Sequence, residues 1–111
     1  MLQCKLSQYV FGMYDYGRTC IFSLYDENDT VFDATGYTGV VQLFGESGVQ
    51  MINDISVSWT SQTTGVGTWA FTSTLKPYTS GFLWLEVQLT KSGTELSTIP
   101  VRINIIKGPQ A

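Results

Sequence analysis

In Gly81-Phe-Leu-Trp-Leu-Glu-Val-Gln-Leu-Thr90 an aliphatic residue falls at every second position, Leu83, Leu85, Val87 and Leu89. Such alternation puts these four side chains on one face of a β-strand and Trp84, Glu86, Gln88 and Thr90 on the other. Lys91-Ser-Gly93 supplies turn chemistry. Val101, Ile103 and Ile105 then alternate with Arg102 and Asn104, so residues 96–107 are expected to return as the second arm of a hairpin. Two antiparallel strands with one aliphatic face need a second sheet to cover it.

Working outward, Leu2, Cys4 and Leu6 alternate with polar residues and predict a first strand running towards Tyr9 or Val10. Loop residues fill Gly12 to Gly17. Thr19 to Tyr25 predicts a second strand with Cys20, Phe22 and Leu24 on one face, and Asp26-Glu-Asn-Asp29 turns the chain. Thr30 to Phe32 is expected to return briefly before Asp33-Ala-Thr-Gly36 turns it again. Tyr37 to Phe44 is β-branched and aromatic, and Gly45 to Gly48 is expected to end it. Ile55, Val57 and Trp59 predict one further strand, Gln62 to Gly67 a loop, and Trp69, Phe71 and Ser73 one face of the strand that follows. Seven to eight short strands, turn signals roughly every 8–12 residues and no helical period longer than a turn define one all-β domain over residues 1–111, an antiparallel sandwich or small barrel.

At 111 residues the chain is long enough for a single core. Six Lys and Arg against nine Asp and Glu, with the cations scattered, exclude the basic footprint of a nucleic-acid binder. No apolar run reaches the roughly 18 residues of a membrane-spanning helix, and nothing near the N-terminus reads as a secretory signal. Neither nucleic acid nor membrane is therefore an expected partner. Cys4 and Cys20 lie in strand-like runs and are expected as reduced, buried thiols.

The chemistry of catalysis is thinly represented. Without histidine there is no Ser-His-Asp or Cys-His system, and the commonest general base and zinc ligand is missing. Asp26, Glu27, Asp29 and Asp33 are close in sequence, but they occupy turns where solvent keeps them ionised. Val31 stands where a calcium loop needs glycine, so these acids read as a turn, not a metal site. Asp33 is expected to bond the backbone N–H two residues on and to set up a positive φ at Gly36. The expectation is a non-enzyme with no catalytic residue, cofactor or metal. Trp59, Trp69 and Phe71 share faces with aliphatic neighbours and are expected in the core. Phe82 and Trp84 fall on the outer face of their strand and, with Tyr78 and Tyr37 beside turns, are the candidate protein-interface residues; Tyr14 and Tyr16 would add to a rim.

Phe22-Ser-Leu-Tyr-Asp26, a polar turn, then Asp33-Ala-Thr-Gly36 resembles the N-terminal domain of phage upper baseplate proteins, which read approximately F-x-L-x-D-x-x-G-x-x-x-D-L-T-G. Gly67-Thr-Trp-Ala-Phe71, Gly81 to Thr90 and the closing Pro100 to Ile106 are similar to that family's later strands, so the likeness runs from Thr19 through most of the chain. Asn28-Asp29 replaces a turn glycine and Ala34 a leucine, neither of which alters the strand pattern.

The resemblance implies an immunoglobulin-like β-sandwich serving as a structural attachment module of a bacteriophage virion. The same likeness extends to domains of head fibres and capsid accessories. It implies multi-copy or homo-oligomeric docking on other virion proteins (capsid, head fibre, tail or baseplate), with assembly in the host cytoplasm. A chain that stops at Ala111 without a stalk is expected to be a decoration or adaptor subunit. The alternative is a carbohydrate-binding module contacting host-surface polysaccharide, in which Trp and Tyr stack on sugar rings.

Overall fold

A computed structural model describes residues 2–46 and 50–107. Among these residues ten strand segments form two sheets: β1 (Gln3–Leu6), β2 (Val10–Gly12), β3 (Cys20–Tyr25), β4 (Thr38–Phe44), β5 (Gln50–Ser56), β6 (Ser58–Ser61), β7 (Val66–Trp69), β8 (Gly81–Lys91), β9 (Thr94–Ser97) and β10 (Val101–Ile106). One sheet has the order β1-β3-β7-β6. The other runs β2-β10-β8-β4-β5, with β9 also paired to β8. All pairings between named strands are antiparallel except β2 with β10, which is parallel. The fold is an immunoglobulin-like β-sandwich.

The alternation in β8 is what the structure shows: Leu85, Val87 and Leu89 are fully buried and Leu83 nearly so. Ile103 and Ile105 from β10 and Val41 and Leu43 from β4 extend the same inner face on either side. Phe22 and Leu24 of β3 cover it from the opposite sheet, and the two layers share one hydrophobic core. Trp69 and Phe71 are buried there as expected, packed with Phe11 at ring-centroid distances of 5.0–5.4 Å. Trp59 is only partly buried; its ring meets Phe22 edge-on at 5.6 Å and its indole N–H donates to the Tyr37 carbonyl. Cys4 and Cys20 are buried free thiols. Burial, reinforced by Cys20, pushes the Cys4 thiol up to about 12, so it packs as a small apolar residue.

Three expectations about strands need correction, and each has a local cause. The first strand does not run on to Val10. Ser7 donates its N–H to Ile21, accepts from the Ile21 N–H through its hydroxyl, and leaves the β1–β3 ladder there; Tyr9 then accepts from the Asn104 N–H, so β2 joins the other sheet. The Ile55 to Trp59 run also changes sheets. Ile55 faces Val41, Ser58 faces Thr68, and the Val57 N–H donates to the Gly39 carbonyl at the crossing. Glycine is needed at 39 because a Cβ there would sit 2.8 Å from a Val57 methyl. The brief return expected at Thr30 to Phe32 is present as one antiparallel bridge, Val31 with Tyr25, flanked by bonds from the Asp26 N–H to the Thr30 carbonyl and from the Phe32 N–H to the Leu24 carbonyl. Finally, β7 begins at Val66, inside the expected loop, whose first part is a 3-10 turn over Gln62–Thr64. The strand ends at Trp69, so Phe71 is buried from beyond it and Ser73 is exposed.

The returning arm of the hairpin is interrupted as well. Ser97 faces Gln88 but Val101 faces Leu85, so the arm carries one extra residue around Thr98-Ile-Pro100. Pro100 has no N–H to give the ladder. Thr98 fills in, accepting the Val87 N–H on its hydroxyl and donating its own N–H to the Val87 carbonyl, while the Ile99 N–H turns away to the Leu2 carbonyl. The end of β4 predicted at residues 45–48 lies in part outside the described residues.

Candidate partner-docking face

Because inner and outer residues alternate, burying Leu83 and Leu85 aims Phe82, Trp84 and Glu86 away from the second sheet. The neighbouring strands decide what lies beside them. Register puts Arg102 of β10 on one side of Trp84 and Phe44 of β4 on the other. Phe82 is 43% exposed, whereas Trp84 is half-buried between its cross-strand neighbours. The Arg102 guanidinium stacks over the Phe82 ring at 3.7 Å and reaches the Trp84 ring at 6.0 Å. Its far side meets the Glu46 carboxylate at 3.8 Å. Glu46 follows β4 and Arg102 lies on β10, so this ion pair arches over β8. With both partners largely exposed it contributes at most about 1 kcal/mol.

Beyond the arch a shallow groove of about 290 Å³ is lined by Phe44, Gly45, Glu46, Trp84, Glu86 and Pro100. In the next row across the sheet, Glu86 stands beside Gln42. Gln42 is buried on this outer face because it bonds in both directions with Asp54: its amide N–H donates to the carboxylate at 2.6 Å and its carbonyl accepts the Asp54 N–H at 3.0 Å. Asp54 sits at an irregularity in the β4–β5 pairing with φ +59°, the kind of local bulge that re-aims a side chain.

The four candidate interface residues separate. Phe82 and Trp84 share this face. Tyr78 lies in the loop before β8, 55% exposed, edge-on to Tyr14 at 5.9 Å, with the Lys76 ammonium 4.9 Å from the Tyr16 ring and 5.9 Å from its own. Tyr37 belongs to the other end of β8, where Thr38 faces Thr90. It is partly buried, its carbonyl accepts from Trp59 and Gln62, and Lys91 lies over its ring at 5.3 Å. Tyr37 therefore braces the sandwich edge and does not join the Phe82 face. Arg102, Phe44, Glu46 and Glu86 were missed because their adjacency comes from register across three strands; the parity of Arg102 and Glu86 in the sequence was the available signal.

The acidic turns are occupied with their own backbone. An Asp26 carboxylate oxygen accepts the N–H groups of Asn28 and Thr30, and Asp29, at φ +66°, approaches Lys5 at 3.5 Å. Asp33 accepts from both the hydroxyl and the N–H of Thr35, and Gly36 follows at φ +85°, as the sequence predicts. The hydroxyl bond, then the N–H bond, hold the Asp33 carboxyl below its ordinary range.

No protein-family model and no curated protein matches the chain. Among solved structures it is similar to the Lin-41 filamin domain, at 15% identity and a TM-score of 0.50 over 95% of this chain and 93% of that one. At that identity the likeness is one of fold, and it agrees with the immunoglobulin-like sandwich.

Proposed function

We propose that this domain is a non-enzymatic attachment module of a bacteriophage particle, present in multiple copies and docked on other virion proteins through the outer face of β8. The observation that carries the docking role is the Phe82–Arg102–Trp84 cluster: an exposed aromatic ring under a stacked guanidinium, beside a half-buried indole. Aromatic and arginine side chains on an outer sheet face are the residues from which interface centres are built. The virion assignment rests on the strand-and-turn pattern shared with the baseplate family, from Phe22 to Gly36 and from Gly67 to Ile106. Against catalysis stand the lack of histidine in the sequence and the use of Asp26 and Asp33 as turn acceptors.

The test is incorporation. In purified particles the wild-type chain should be present in many copies by quantitative mass spectrometry. A Phe82→Glu, Trp84→Glu double variant should keep its circular-dichroism spectrum and cooperative melting yet be lost from particles. Absence of the wild-type chain from virions, or full incorporation of a folded double variant, would reject the proposal.

A further inference from the structure

The groove beside Trp84 has a composition that selects its occupant. Its lining brings together two acidic side chains, Glu46 and Glu86, whose carboxylates accept hydrogen bonds and donate none, and two aromatic ones, Trp84 and Phe44. Among the lining side chains only the Trp84 indole N–H donates; Arg102, opposite Trp84 on β10, is engaged by Glu46 and the Phe82 ring. Sugar hydroxyls both donate and accept, so such a lining leaves their acceptor capacity unmatched. A lysine ammonium or arginine guanidinium only donates and is attracted to aromatic faces.

The molecule uses that pairing elsewhere on its own surface. Lys5 lies 4.4 Å above the Tyr25 ring and 3.5 Å from Asp29; Arg102 lies over Phe82 and against Glu46. Trp84 with Glu86 is the same aromatic-carboxylate combination, and among the described residues no salt bridge reaches Glu86. Charge favours a cation here too. Glu46, Glu86 and Asp54 stand on or beside this part of the face against the guanidinium of Arg102, in a chain of net charge −3.

We infer that the groove between Phe44, Trp84 and Glu86 receives a basic side chain, lysine or arginine, from the partner protein. This rests on the docking role proposed for the face and specifies what enters it. A volume of about 290 Å³ suits one such side chain and is small for a larger ligand.

The experiment uses the whole chain, ¹⁵N-labelled, with the Trp84 indole resonance assigned from a Trp84→Phe variant. It is titrated with the blocked tripeptides Ac-Gly-Lys-Gly-NH₂ and Ac-Gly-Arg-Gly-NH₂, with the norleucine analogue as the neutral control, and with glucose and N-acetylglucosamine. The basic peptides should shift the Trp84 indole and Glu86 amide saturably, less so at high salt, and norleucine should not. Glu86→Gln should weaken binding by up to about fivefold, the upper range for loss of one exposed ion pair. Equal shifts with norleucine, indifference to Glu86→Gln, or movement of Trp84 by a sugar and not by the peptides would overturn the inference. The two readings fail separately. If peptides do not bind but the Phe82→Glu, Trp84→Glu variant is still lost from particles, docking stands and the basic occupant falls; if peptides bind and that variant incorporates fully, the groove stands and the docking role falls.

Discussion

The two faces of β8 are built from the same eleven residues and differ in what covers them. Leu85, Val87 and Leu89 lie under a second sheet and are removed from water entirely. Among the described residues no sheet lies above Phe82, Trp84 and Glu86; their cross-strand neighbours are side chains of the flanking strands, Arg102, Phe44 and Gln42. Burial on the inner face is shared, since these side chains belong to one core cluster with residues of both layers. On the outer face contacts run within a single layer and are shared with solvent. Stability should therefore reside on one face and recognition on the other.

The largest effect tests the inner face. Leu85→Ala and Ile103→Ala should each cost about 2–5 kcal/mol in urea denaturation, the lost transfer energy plus the cavity left between sheets that cannot collapse onto it. A cost below about 1 kcal/mol for either would mean that the core is not organised around β8. Next comes Trp84→Glu, for which about 1–2 kcal/mol is expected, because a half-buried indole loses part of its packing and the carboxylate replacing it stays in reach of water. If this variant unfolds, or costs as much as Leu85→Ala, Trp84 belongs to the monomer's stability and the contrast between faces collapses. Phe82→Glu should be milder still, within about 1 kcal/mol, as for ordinary surface positions.

The smallest effect lies away from both faces. The Asp33 carboxyl titrates below its ordinary 3.8, so its turn contributes stability that is complete above that value and is lost as pH falls through the lower folded-state value. NMR titration should show the depressed value, and Thr35→Ala should move it part of the way back, since the backbone N–H bond survives when the hydroxyl bond is removed. An unchanged Asp33 titration in that variant would assign the shift to the N–H bond or to Lys91.

Which features were legible in the sequence follows from the range of the interactions that make them. The Asp33 turn spans four residues and is complete within itself, so residue type alone predicts both its hydrogen bond and the positive φ at Gly36. The β8 alternation is similarly local, and it assigned Leu85 inward and Trp84 outward correctly. The breaks at Ser7, Val57 and Thr98 were not legible. At Val57 the alternation continues unbroken while the chain trades β4 for β7; at Ser7 and Thr98 it shifts phase by one residue, but the residue types do not say that β3 gives way to β10 or that the Ile99 N–H leaves β8 for Leu2. Side-chain pattern records which face a residue takes; it does not record which sheet the strand is in.

The same limit governs the docking face. Period-two alternation around Trp84 and Arg102 determined the architecture, the inward core and the outward direction of Phe82 and Trp84, because a strand's two faces are set by covalent geometry. Tertiary structure alone decided that Arg102 would cap Phe82, that Glu46 would close an arch over β8, that Glu86 would border a groove, and that Tyr37 would lie at the far end of the strand from Phe82. Those contacts join residues far apart in the chain, and they exist only once strand order and register are chosen by the packing of two sheets on one core.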